Sequence, residues 1–281
     1  MKLAISRAST PTCERPHMSL DAIEAARRRV LLRLGLDRLV TAEYLDIAEG
    51  HRAHAALQMA PASFVIDGMT IDAPAGVYHP TPESSSLLFI RNIQALAVPK
   101  IPRMLEIGTG TGAIALYVAH HWGGYVLAID VSDFMLDVAR ANAKRNGLLP
   151  CFLKSDVFES VDEADFDLVV FNAPLIDKAP EDDLERQSLC DPGGRLLRGY
   201  LDGLAGVLKP DGIALFGICC NTAYQQMDKV ELDYRVVGLE LIGQGFWRAI
   251  IAARRPPSAV RASRDDRSPL PLPRGESKNG P

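Results

Sequence analysis

Cysteine is scarce in this 281-residue chain, and the five present form no framework. Cys13, Cys151, Cys190, Cys219 and Cys220 are odd in number, make no C-x-x-C pair and partly sit in apolar runs, which argues against a disulfide scaffold and a zinc site. Long hydrophobic runs are missing too. No stretch approaches the roughly 20 apolar residues a bilayer requires, and nothing near Met1 resembles a signal peptide. Nor is there an excess of one charge: 31 basic against 35 acidic side chains leave a formal charge of −4, so no global field favours nucleic acid, although local basic patches stay open. The expectation is a cytoplasmic protein with no membrane partner and no favoured nucleic-acid partner.

What is present suffices for a full core. Hydrophobic residues make up 47% of the chain, which suits one large domain or a core domain with an appendage. Met1 to His17 is polar and broken by proline, after which Ser19 or Asp21 is placed to cap a helix. Arg and Leu recur at helical spacing from Ala22 to Leu36, and a second helical pattern runs from about Ala42 to Met59. Arg27, Arg28, Arg29, Arg33 and Arg38 form a basic stripe that reads more readily as a solvated helix face than as a substrate surface. His51 and His54 have a metal-compatible spacing but no accompanying ligand set, so no metal is expected.

Between Ser63 and Tyr78 apolar and polar residues alternate around Asp67-Gly68, the pattern of a hairpin. From Ile101 strands alternate with helices: strands at 104–107, 126–129, 151–154, 168–172 and 213–219, helices near 113–121, 134–146 and 196–208, with Lys209-Pro210-Asp211-Gly212 as a turn. That order implies an α/β fold, a parallel sheet wrapped by helices with its site at the strand C-terminal ends. A final pair, about 235–242 and 247–253, reads as an antiparallel hairpin closing the sheet. After Arg255 the composition turns to proline, serine and arginine and cannot build a core. The expected division is residues 1–62 as tail and helical extension, 63–255 as the main domain with its leading hairpin, and 256–281 as a disordered tail.

The chemistry concentrates in the first part of the parallel sheet. Arg103 to Leu116, RMLEIGTGTGAIAL, runs from a strand through Glu106 into Gly108, Thr109, Gly110 and Gly112, then into a helix. Free backbone N–H groups at that helix N-terminus, with no Cβ in the way, suit a bound ligand. The third glycine comes one residue too early for the dinucleotide pattern G-x-G-x-x-G. Asp130 ends the next strand about where a ribose-binding acid belongs, chemistry shared by NAD and S-adenosylmethionine sites. At the end of Phe166 to Leu175, the side-chain oxygen of Asn172 and a following carbonyl can accept N–H bonds from an amine or amide, while Pro174 fixes the turn.

Taken in order, Glu106, the G-x-G-x-G loop, Asp130, Asp156 and Asn172-Ala-Pro resemble the class I S-adenosylmethionine-dependent methyltransferases. Asn172-Ala173-Pro174-Leu175 further resembles the Asn-Pro-Pro-aromatic motif of the HemK-type glutamine methyltransferases. So do the Val-Tyr-x-Pro stretch with Glu83 and Ser84 inside Gly76 to Leu88, and Asp191-Pro192-Gly193-Gly194 before a helix. The resemblance covers about Gly76 to Arg254 and implies a Rossmann-like fold with a mostly parallel seven-stranded sheet and an antiparallel closing strand. It implies S-adenosylmethionine as cofactor, held by Glu106, Gly108, Thr109, Gly110 and Gly112 at the methionine end, Asp130 at ribose, Asp156 and Val157 at adenine, and Asn172 near the methyl. Asn172 and Pro174 would serve catalysis.

Two positions depart from the motif. Ala173 stands for the first proline and Leu175 for the aromatic, so the flat wall that would sandwich a planar amide is missing and the acceptor is left open among a small molecule, a peptide and a protein side chain. N-methylation is expected ahead of O-methylation. The alternatives are a cofactor-binding protein with a drifted site, and an NAD-dependent oxidoreductase, against which stand the glycine spacing and the lack of a Tyr-x-x-x-Lys pair.

Overall fold

In a computed structural model, residues 18–39, 58–96, 103–242 and 246–256 are described. The second helical pattern up to residue 57, His51, His54, Cys13 and the tail beyond 256 lie outside them. The elements are α1 (Leu20–Leu34), β1 (Ala62–Ile66), β2 (Met69–Ala73), α2 (Ser85–Gln94), β3 (Arg103–Ile107), α3 (Ala113–Trp122), β4 (Tyr125–Asp130) and α4 (Asp133–Arg145). They continue with β5 (Cys151–Lys154), β6 (Phe166–Phe171), α5 (Asp183–Ser188), α6 (Arg195–Val207), β7 (Leu208–Cys219), α7 (Tyr224–Asp228), β8 (Asp233–Ile242) and β9 (Phe246–Arg254).

Among the described residues seven strands form one sheet in the order β5-β4-β3-β6-β7-β9-β8, parallel except for β9, which runs antiparallel to both its neighbours. Because successive strand residues point to opposite faces, each strand feeds two cores. Leu105, Ile107, Leu127, Ile129, Val169 and Phe171 join α1 and α6 on one face. Met104, Val126, Ala128, Leu168 and Val170 join α2, α3 and the β1–β2 hairpin on the other. The chain leaves β3 toward β4 on one side and later returns to place β6 on the other, so the crevice between β3 and β6 is the topological switch point, where such sheets bind ligands.

Local chemistry sets the boundaries. Ser19, the first of the two expected caps, accepts from the Ala22 N–H at 3.2 Å, and α1 begins at Leu20. Asp67 and Gly68 both adopt positive φ, 50° and 84°, which gives the two-residue turn the twist a hairpin needs. Lys209-Pro210-Asp211-Gly212 falls within β7 instead of preceding it. There Phe166 pairs with Leu208 and Leu168 with Ile213, so the four residues bulge out of the ladder. Pro210 has no N–H to lend to that ladder, and a Cβ on Gly212 would lie 2.9 Å from the Phe166 carbonyl oxygen. α2 is a helix that the sequence pattern does not predict, and it follows the Val-Tyr-x-Pro stretch. Ser84 accepts from the Leu87 N–H at 3.3 Å, and Leu88, Phe89, Ile90 and Ile93 bury the helix face.

The outer edge of β2 pairs with side chains. Asn146 accepts from the Thr70 N–H and donates to its carbonyl, and one turn earlier Asn142 does the same for Asp72. Asn142 on α4 and Asn146, the residue that caps its C-terminus, are spaced by four, so the two amides meet alternate strand residues and stand in for a third strand. Asn142 also donates to the Thr111 carbonyl at 2.9 Å, which ties the hairpin to the glycine loop.

Candidate active site

A cavity of about 1400 Å3 opens over the carboxyl ends of β3, β4, β5 and β6. Drug-sized ligand pockets reach about 1,000 Å3, so there is room for a nucleoside-sized molecule and part of a second reactant. Its walls include Glu106, Gly108, Thr109, Gly110, Asp130, Asp156, Val157, Asn172 and Pro174. Of the residues singled out in the sequence, Gly112 stands apart. At φ 83° it starts α3, and a Cβ there would meet the Ala139 Cβ at 3.2 Å, so this glycine serves the packing of α3 on α4 and does not line the cavity.

Glu106 is buried beneath the loop. It shares a sheet face with Met104, the face covered by α3, and its Oε2 accepts from the Thr109 hydroxyl at 2.7 Å and the Ala115 N–H at 3.0 Å. Burial outweighs these bonds and pushes its carboxyl up to about 8. The carboxylate of Asp130 accepts from the Gly110 N–H at 3.1 Å and the Ser132 N–H at 3.0 Å, which fixes the loop against the end of β4. Burial raises its pKa as well, with the backbone bonds opposing. Each carboxylate oxygen keeps lone-pair capacity for ligand hydroxyls.

Beyond β5, Asp156 pairs with Arg195 at 3.0 Å, and Val157 holds a φ of 51°, strained for a β-branched residue. The Ser155 hydroxyl donates to the Val157 carbonyl at 3.0 Å and accepts from the Ser160 N–H, which braces that turn. Asp191 accepts from the N–H groups of Leu196 and Leu197 and so caps α6, whose first residues Arg195 and Leu196 also line the cavity. Gly194 is obligatory there, since a Cβ would lie 2.5 Å from that of Ala223.

Beside the glycine loop, Asn172 leaves the end of β6 half-buried and donates from Nδ2 to the Ser86 Oγ at 3.3 Å. The Ser86 hydroxyl can serve either end of an amide, so the bond fixes the side chain's place more firmly than its polarity. Ala173, though buried, lines the cavity together with Pro174 and Leu175. The Tyr78 hydroxyl accepts from the Ser85 N–H at 3.0 Å, so the Val-Tyr-x-Pro segment folds back onto the first turn of α2. Tyr78, Ser85, Ser86, Arg195 and Arg248 are wall residues the sequence reading missed. Only the Val-Tyr-x-Pro segment offered a signal, because the others depend on which elements the fold brings together.

The arginine stripe of α1 does not reach the cavity. Arg29 chelates Asp228 of α7, Arg27 pairs with Glu24, and Arg33 lies over the Tyr234 ring. Cys151, Cys190, Cys219 and Cys220 are in no disulfide, and no group of metal-ligating side chains occurs among the described residues. No described helix is long and apolar enough to cross a membrane.

Residues 104–194 match a family model described as a methyltransferase domain. Over 153 residues the chain is 34% identical to the release factor glutamine methyltransferase of Streptococcus pneumoniae, covering 52% of this chain and 53% of that protein. It is 29% identical over 212 residues to the release factor glutamine methyltransferase of Mycolicibacterium smegmatis, covering 74% and 73%. With the ribosomal protein L11 methyltransferase of Thermus thermophilus it shares 37% identity over 107 residues, 38% of this chain and 39% of that one. The chain thus spans about half the length of the pneumococcal relative and less of the L11 enzyme. Among solved structures, the 16S rRNA N2 G1207 methyltransferase of T. thermophilus, in complex with AdoMet and guanosine, aligns with a TM-score of 0.52 at 20% identity, over 70% of this chain and 50% of that one, a likeness of fold.

Proposed function

We propose that this chain is a class I S-adenosylmethionine-dependent methyltransferase resembling the HemK-type group, and that it methylates a nitrogen, the side-chain amide of a protein or peptide. The observation that carries this reading is Asn172, anchored by Ser86 at the end of β6, beside the glycine loop that leaves the neighbouring strand β3. The names of the relatives, glutamine methyltransferases acting on release factors, point to the same acceptor chemistry.

The donor groups present fit the cofactor. Gly108 and Gly110, at φ 67° and 53°, keep the loop backbone open to the cavity for the methionine end. Asp130 has carboxylate lone pairs for the ribose hydroxyls, and Asp156 and Val157 border the adenine end beside Leu196. When bound, S-adenosylmethionine supplies an electrophilic methyl group on a sulfonium. The chain's own part is to hold the acceptor: Asn172 Oδ1 and the carbonyl that follows accept its N–H bonds and turn the nitrogen lone pair toward the methyl. The nitrogen gives up one proton to solvent as it gains the carbon, so positioning carries the catalysis and no strong base is required. Leu175, in place of an aromatic, leaves the acceptor wall apolar but not flat.

The test uses full-length protein, S-adenosylmethionine labelled in the methyl group, and peptides bearing a single glutamine. The wild type is expected to label the amide nitrogen. Asn172→Ala is expected to bind S-adenosylhomocysteine within a few-fold of wild type while transfer falls by roughly 10²-fold or more, the penalty for misplacing a reacting group. Transfer by Asn172→Ala at the wild-type rate would reduce Asn172 to a strand terminator. Binding of the cofactor with no labelling of any peptide, protein or small-molecule acceptor would favour a drifted site.

A further inference from the structure

We propose that Glu240, with Arg91 and Arg248, positions Asn172 from outside the chemistry by fastening the first turn of α2 to the closing hairpin. The inference rests on the reading of Asn172 as the acceptor anchor.

Glu240 on β8 divides its carboxylate between two arginines. Oε2 accepts from Arg248 Nε of β9 at 2.7 Å, and Oε1 accepts from Arg91 Nη2 of α2 at 2.7 Å. The same two guanidiniums reach the chain just before α2: Arg248 Nη2 donates to the Glu83 carbonyl, and Arg91 Nη1 points at the Pro82 carbonyl from 3.5 Å. Those carbonyls precede Ser84, the cap of α2, and two residues beyond the cap Ser86 holds Asn172. A connected route of hydrogen bonds and one short turn therefore leads from the hairpin to the acceptor side of the cavity. Glu83, Ser86, Asn172, Glu240 and Arg248 all line that cavity.

Two features separate this cluster from an ordinary surface ion pair. The Arg248 side chain is only 11% exposed, so without its carboxylate it is a nearly buried charge facing a second guanidinium. α2 also seats closely on β8, where a Cβ on Gly238 would fall 2.4 Å from the Asn92 side chain, so the helix is registered against the same hairpin that carries Glu240 and Arg248. Losing the shared carboxylate is therefore more disruptive than losing either arginine, and the displacement is transmitted to the first turn of α2, where Ser86 sits.

The experiment follows the Asn172 side-chain NH2 by 15N NMR in the full chain saturated with S-adenosylhomocysteine, in wild type, Glu240→Ala, Glu240→Asp, Arg91→Met and Ser86→Ala. Ser86→Ala and Glu240→Ala are each expected to speed exchange of that NH2 with water by about tenfold, the order of one lost hydrogen bond. Arg91→Met should have a smaller effect, and Glu240→Asp should restore part of the wild-type signal. Affinity for S-adenosylhomocysteine should stay within a few-fold throughout. An unchanged Asn172 signal in folded Glu240→Ala overturns the proposal. If that variant does not fold, an unchanged signal in Arg91→Met, which alters an exposed side chain, overturns it equally. With a glutamine peptide as acceptor, kcat should fall in Glu240→Ala while KM for S-adenosylmethionine holds. A wild type that methylates no glutamine peptide defeats the amide reading alone, because the NMR comparison still decides whether the cluster positions Asn172.

Discussion

Asp130, proposed to hold the ribose, already fixes the Gly110 and Ser132 N–H groups with its carboxylate and so shapes the glycine loop as well. Asp130→Ala is expected to weaken S-adenosylhomocysteine binding by on the order of 1.5–3 kcal/mol, the range for hydrogen bonds to a charged group. Calorimetry on the folded variant checks this, and unchanged affinity would remove Asp130 from the ribose. Glu106 yields a pH prediction. Its folded pKa of about 8 lies above the usual 4.5, so between these values the folded protein holds a proton that the unfolded chain has released. The stability it contributes is therefore complete below about pH 4.5 and is lost as pH rises through about 8, by on the order of a few kcal/mol at about 1.4 kcal/mol per unit. Glu106→Gln keeps an acceptor for Thr109 and Ala115 but cannot titrate. The stability of wild type relative to this variant should fall steadily from pH 5 to pH 8 in urea unfolding, and a constant difference would contradict the shift. These residues were legible because each sits at or near the end of an apolar strand at a fixed offset from the glycines. Gly112 was legible as a glycine but not in its role, because only the approach of Ala139 on α4 shows what excludes a side chain there.

At the scale of elements, periodicity located the parallel strands and their helices within a few residues, since a strand buried on both faces leaves a short continuous apolar run. It failed where side chains substitute for backbone. Nothing in the sequence marks Asn142 and Asn146 as the partners of β2, because an amide four residues from another on a helix reads as a polar face. It also failed at α2, whose serine-rich start is a poor helix former but a good cap. Asn142 is 1% exposed and serves the N–H and carbonyl of Asp72 and the carbonyl of Thr111. Asn142→Ala leaves these backbone groups short of partners and is expected to destabilise the fold by about 3 kcal/mol. Asn146→Ala, at a less buried site, should lose about 1 kcal/mol. Urea unfolding of the two variants checks the order. Equal losses would mean that the tie from Asn142 to the glycine loop contributes nothing.

For the whole molecule, the division at residues 62 and 255 is a proposal, and the structure suggests where its second boundary should be cut. Arg255, just past β9, donates from Nη2 to the carbonyls of Ala205 and Leu208, at the C-terminal end of α6. Those carbonyls belong to the helix end that lacks intrahelical donors, where a cation is also favoured by the helix dipole. Arg255 therefore belongs with the folded unit, although by composition it borders the proline-rich tail. A chain ending at Pro256 is expected to melt within a degree or two of full length and to bind S-adenosylhomocysteine equally well. A chain ending at Arg254 should lose about 1–2 kcal/mol with those bonds, a fall in Tm of roughly 2–8 °C for a domain of this size. The same loss in Arg255→Ala within the full-length chain would assign the effect to the guanidinium and not to chain length. A large fall in Tm already at Pro256 would instead make the proline-rich segment part of the fold and move the boundary beyond it.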